Sequence, residues 1–132
     1  MREPGGVRVR KWVLAFVLGL MAGQAGAVPS GQPLALWQIA WERMQGTQDL
    51  QLVIRAIAPK VGALRFEAAQ ADMDWICATH GLTLSGLPHG AAAQVVVNLM
   101  DTPIPRGTSN PDVAQYFSVY ELADGACILE DL

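Results

Sequence analysis

FEAAQADMDWICATH, residues 66 to 80, decides the fold, because no other stretch of the mature chain reads as helix without competition. At about 100° per residue, Phe66, Ala69, Met73, Ile76, Cys77 and His80 fall within one apolar stripe roughly 100° wide. Glu67, Asp72 and Asp74 flank that stripe on the wetter sides. Gly81 follows as the expected left-handed C-cap, and His80 sits where a cation favours the helix dipole. The rest of the chain is built from short alternating runs, so this helix has a sheet to pack against.

Working outward, Leu34 to Met44 fits helical spacing through Trp37, Trp41 and Met44. It also fits a strand face through Ala35, Trp37, Ile39 and Trp41. Strand is chosen, because Gln45-Gly46-Thr47-Gln48 is a turn and Leu50, Leu52, Ile54 and Ala56 alternate after it, which together read as a hairpin. Gly81 to Gly90 carries Gly86, Pro88 and Gly90 and is expected to be a loop. Gln94 to Met100 has the valine run of a central, buried strand. Asp101 to Pro111 holds three prolines and a glycine and is expected to be an irregular loop. Tyr116 to Leu122 alternates up to Asp124-Gly125, a hairpin turn whose two central residues need positive φ. That turn places Leu122 opposite Cys127, Tyr120 opposite Leu129 and Glu121 opposite Ile128. The expected fold is α+β: an antiparallel sheet of about five strands with one helix on one face.

The N-terminus reads as an address. Arg2, Arg8, Arg10 and Lys11 precede an apolar run from Trp12 to about Met21, and Ala25-Gly26-Ala27 supplies a small-x-small cleavage pattern. Residues 1–27 are therefore expected to be a cleaved signal peptide and residues 28–132 a single small domain; an uncleaved anchor is the alternative. The apolar run is short for a bilayer span, which needs about twenty residues. The mature chain carries five basic residues against eleven acidic ones, a net charge of −6. Such a balance offers no electrostatic footprint for nucleic acid or anionic lipid.

Cys77 and Cys127 are the two cysteines, both in the mature part. An oxidising compartment favours their pairing over two separate buried thiols. The patterns agree, since Cys77 lies on the apolar stripe of the helix and Cys127 shares a sheet face with Tyr120, Leu122 and Leu129.

The segments DMDWICATHGL (Asp72 to Leu82), AQVVVNLMDTPIPRG (Ala93 to Gly107) and DGACILEDL (Asp124 to Leu132), with VPSGQP at Val28 to Pro33, resemble a family of small exported alphaproteobacterial proteins, domain-of-unknown-function family 6497. The resemblance implies an exported single domain with a helix cysteine and a C-terminal cysteine, matching Cys77 and Cys127. It implies no characterised activity.

No catalytic site is expected. Phosphate-binding glycine loops and nucleophile elbows are missing. His80 and His89 lack metal-ligand spacing, so neither a metal nor a cofactor is expected. Asp72 and Asp74 diverge by about 160° on a helix and cannot share a proton; both are expected on a solvated flank. Arg106 is a candidate anion contact in its loop, with Asp101, Asp112 or the acidic C-terminus as expected ion-pair partners. Trp75 lies about 180° from the apolar stripe, beside Ala68, Ala71 and Ala78, and is a candidate partner contact. The first functional reading is a non-catalytic periplasmic interaction or adaptor domain with an envelope protein as partner. The second is a small-ligand-binding module using loops 81–90 and 101–111 as a rim. A small hydrolase or lyase, with His89 beside a carboxylate, is the weakest.

Overall fold

Five strands make one sheet in sequence order: β1 (Ala35–Arg43), β2 (Leu50–Ile57), β3 (Gln94–Met100), β4 (Gln115–Ala123) and β5 (Ala126–Leu129). The computed structural model describes residues 28–86 and 91–131. The expected signal peptide and His89 lie outside them. The α+β architecture is as expected, and β3 is central, with Val95 to Met100 buried throughout.

One pairing differs. β1–β2, β3–β4 and β4–β5 are antiparallel, but β2 and β3 run parallel. The helix lies in the connection between them, and a long crossover returns the chain to the end where it began, as parallel strands require. The C-terminal hairpin has the expected register, with Leu122 opposite Cys127 and Tyr120 opposite Leu129. Asp124 (φ 54°) and Gly125 (φ 74°) supply the two left-handed residues of its turn.

α1 (Phe66–Ile76) runs on through a π turn (Cys77–Gly81) into a last short turn, α2 (Leu82–Leu84). Ala69, Met73, Ile76 and Cys77 join Leu52, Ile54, Ala56, Val95, Val97 and Leu99 in the main core. This burial of an amphipathic face, rather than helix propensity, holds the helix in place.

Three expectations for the helix are corrected. Gly81 does not cap it: its φ is −64° and the helix continues. Glycine lets the helix approach the sheet closely there, because a Cβ would stand 3.2 Å from Cys77 Sγ and 3.3 Å from Val95 Cγ1, tight enough that a neighbour would have to shift. The left-handed glycine is Gly86 (φ 98°), beyond α2. Phe66 lies outside the core, exposed, with its ring tilted against Tyr116 at 5.9 Å. Asp72 is fully buried rather than solvated, since the lead-in 28–34 lies across that flank.

β1 carries an irregularity between Leu36 and Gln38. The extra residue, Trp37, breaks the alternation and sends its ring to the same side as Gln38, over Arg55. The expected face of Ala35, Trp37, Ile39 and Trp41 is therefore split, because a bulge reverses the facing of residues beyond it.

The sheet's second face carries Val53, Arg55, Val96, Asn98 and Met100, all buried. Among the described residues no helix covers it. Loop 101–114 does, with Ile104 buried and Asp101 N–H donating to the Ala114 carbonyl to close the loop's base (3.0 Å).

Candidate functional site

Cys77 and Cys127 form a disulfide, with Cα atoms 6.3 Å apart. It joins the π turn to β5, the edge strand farthest from β2. β5 is four residues long and among the described strands pairs with β4 alone, so the crosslink supplies an attachment beyond the ladder hydrogen bonds.

The sheet's second face is organised around Arg55, a residue that the sequence reading passed over. Arg55 Nε donates to Asn98 Oδ1 (3.2 Å), one terminal nitrogen to Gln38 Oε1 (2.7 Å) and the other to the Ile104 carbonyl (2.7 Å). The Trp37 ring stacks on the guanidinium at 5.0 Å. Burial pulls the Arg55 pKa down from its usual value. A signal was present: Arg55 and Asn98 interrupt two apolar central strands, and the register sets them side by side. Polar residues at such positions have to satisfy one another.

Arg106 is part of the same fastening. It pairs with Glu42 on β1 through two bonds, Nε to Oε2 at 2.9 Å and a terminal nitrogen to Oε1 at 3.0 Å. Among the described residues the expected partners Asp101, Asp112, Glu130 and Asp131 are not used. The Arg106 bond lowers the Glu42 pKa, and the same bond raises that of Arg106. Glu42 occupies the Nε edge of the Arg106 guanidinium and balances its charge, which weakens Arg106 as a contact for an incoming anion.

The expected loop 81–90 is helical through Leu84, and its described part, 81–86, does not form one rim with loop 101–111. The first leads into β3 and the second leaves it, so the seven-residue strand separates them by roughly 20 Å.

Trp75 is half-buried and packs against the main core, with its ring edge-on to His80 at 5.5 Å. The expected open surround is only partly present. His80 is half-buried beside it, and burial lowers its pKa.

Asp72 accepts from Ser30 N–H (2.9 Å), Ser30 Oγ (2.5 Å) and Gln32 Nε2 (2.6 Å). Asp74, on the opposite flank, accepts from Tyr120 Oη (2.7 Å) and Gln70 Nε2 (2.9 Å), and Gln70 also bonds Ser118. Burial and the neighbouring Asp74 carboxylate push the Tyr120 pKa well above its usual value. Tyr120 is thus a fixed hydrogen-bond donor, not a base. Beside it lies an open groove of about 440 Å³ lined by Asp74, Ala78, Leu82, Tyr120, Cys127 and Leu129. Among the described residues no cluster of three metal-ligating side chains occurs, and no helix is long and apolar enough to cross a membrane.

Among the described residues, five of the seven exposed large apolar side chains lie on the two edge strands, the others being Phe66 on α1 and Phe117 on β4. β1 shows Leu36, Trp37 and Ile39 at 37, 44 and 39 % exposure, and β5 shows Ile128 and Leu129 at 48 and 46 %. β1 is nine residues long, and no described strand pairs with its outer side.

No curated protein sequence and no solved structure matches the chain significantly. A protein family does match, over residues 14–132, which takes in every described element. The chain belongs to the Family of unknown function (DUF6497).

Proposed function

We propose that this chain is an exported, non-catalytic interaction domain of the cell envelope that takes an extended segment of a partner protein onto the outer side of β1. The observation that carries the reading is the run of Leu36, Trp37 and Ile39, all more than a third exposed on a nine-residue edge strand. Long apolar edges are a hazard that soluble proteins usually blunt with short strands or charge. β5 is four residues long and is followed by Glu130 and Asp131; β1 carries its charges only at its end, Glu42 and Arg43, and keeps Ile39 and Ala40 at its middle. Strand addition draws affinity from main-chain hydrogen bonds and selectivity from alternate side chains, and it needs no pocket. The basic, apolar, small-residue order of residues 1–27 and the disulfide both support an exported setting.

The test is cross-linked co-purification from the native envelope, comparing the unaltered protein with Ile39→Lys and Trp75→Ala. Ile39→Lys should abolish capture with only a small fall in melting temperature, because 39 % of Ile39 is exposed and a lysine stem can follow the covered part with its ammonium in water. Capture that survives Ile39→Lys but fails with Trp75→Ala would move the contact to the helix.

A further inference from the structure

We infer that the pocket around Asp72 is a binding site for the chain's own mature N-terminus, the α-ammonium of Val28 created when the signal peptide is removed. The inference rests on the cleavage reading between Ala27 and Val28. Asp72 is completely buried, yet all its described partners are neutral: Ser30 N–H, Ser30 Oγ and Gln32 Nε2. A buried carboxylate without a cation is costly, and hydrogen bonds offset only part of that cost. A second buried acceptor accompanies it. Gln32 is buried, with 5 % of its surface exposed, its Nε2 is committed to Asp72, and its Oε1 has no hydrogen-bond partner. The site therefore offers negative charge and a free acceptor, and among the described residues no positive group is bonded to it.

Val28 is placed to supply one. Its side chain is buried in the main core, so the residue is anchored. Gly31 N–H donates to the Val28 carbonyl (3.0 Å), which closes a tight turn over Pro29 and Ser30, and the chain leaves that turn through Gly31 at positive φ (78°). Two residues of chain, at most about 7 Å, separate Val28 from Ser30, whose own N–H already touches Asp72. Hydrolysis of the Ala27–Val28 bond by the export machinery's peptidase consumes one water. The hydroxyl goes to the Ala27 carbonyl carbon and a hydrogen to the Val28 nitrogen, which at neutral pH takes a further proton. An α-amino group titrates near 8, so at pH 7 it is largely charged. Processing thus converts a neutral amide nitrogen into the missing cation, and export is coupled to the final tightening of the lead-in against the helix.

The experiment compares three full-length mature chains: one with a free Val28 amine, one with Val28 acetylated, and one with Met-Ala ahead of Val28. The free chain should melt about 5 °C above the other two at pH 7, the size of shift expected from one modest interaction in a domain this small. The difference should vanish in Asp72→Asn, a comparison that remains valid if that variant is itself less stable. Equal melting of the three chains overturns the pairing, as does a difference that persists in Asp72→Asn. Intact mass of the exported protein separates the two premises: a terminus other than Val28 overturns the inference at the cleavage step.

Discussion

The two faces of the sheet are solved by different chemistry. On the helix side, aliphatic residues of β2 and β3 meet the apolar stripe of α1, and a disulfide ties the helix to β5. On the other side an irregular loop replaces the helix. A loop has no apolar stripe to offer, so Arg55 reaches up to the Ile104 carbonyl while Arg106 reaches down to Glu42. Dispersion and area burial hold the first face, with many interchangeable contacts. The second is held by a few directional bonds that have to be made together. The comparison teaches that a sheet this small can be covered twice only if one cover is fastened at points.

The comparison breaks first at the disulfide. Serine at Cys77 or Cys127 should lower stability by about 2–5 kcal/mol in chemical denaturation, the usual range for small secreted domains. A smaller loss would mean that helix packing alone secures β5. Next comes the polar face. Arg55→Met should cost about 2–4 kcal/mol, because it leaves Asn98, Gln38 and the Ile104 carbonyl without their donor. Hydrogen exchange should rise in residues 101–114 and stay low in α1; exchange rising equally in both would show that the two faces are not independent.

A smaller effect sharpens the helix side. Gly81→Ala should cost about 1 kcal/mol, because overpacking against Val95 and Cys77 outweighs the helix propensity gained. The penalty should shrink when Cys77→Ser frees one of those neighbours. If alanine at 81 is stabilising, the packing there is looser than the distances indicate.

Smallest are the titrations, which fall in separate windows. His80 has its folded pKa lowered below the usual value of 6.5 by burial. The unfolded chain then takes the proton first as pH falls, so stability present above about 6.5 is lost through the folded value below it. His80→Gln should flatten a thermal-stability profile in that window. Glu42 also has a lowered folded pKa, so its contribution is present above 4.5 and lost as pH falls through the lower folded value. Its side chain is about one-third exposed, so solvent screening keeps the effect of Glu42→Gln well under 1 kcal/mol.

Legibility followed the same division. The helix stripe, the central valine strand, the Asp124-Gly125 turn and its register could be read locally, and they agreed with a disulfide that the two cysteines and the export reading already favoured. Arg106 was visible as a lone cation in a loop, but Glu42, 64 residues away in sequence, was not predictable as its partner. Arg55 went unread because it was treated as the outward half of an alternating strand. Only the arrival of loop 101–114 makes that side an interior.

The sequence by itself determined which segments are strand or helix and which helix face is apolar, because those depend on periodicity within a few residues. It also determined a turn that only Asp124 and Gly125 could make, and with it one hairpin register. Tertiary structure alone decided that β2 and β3 run parallel, and that Asp72 is buried by the lead-in. It alone also assigned Gly81 to close packing rather than to capping. Each of those outcomes depends on which distant segment comes to lie against a given residue. Burial of a polar group is favourable only when that segment brings its hydrogen-bonding partners with it.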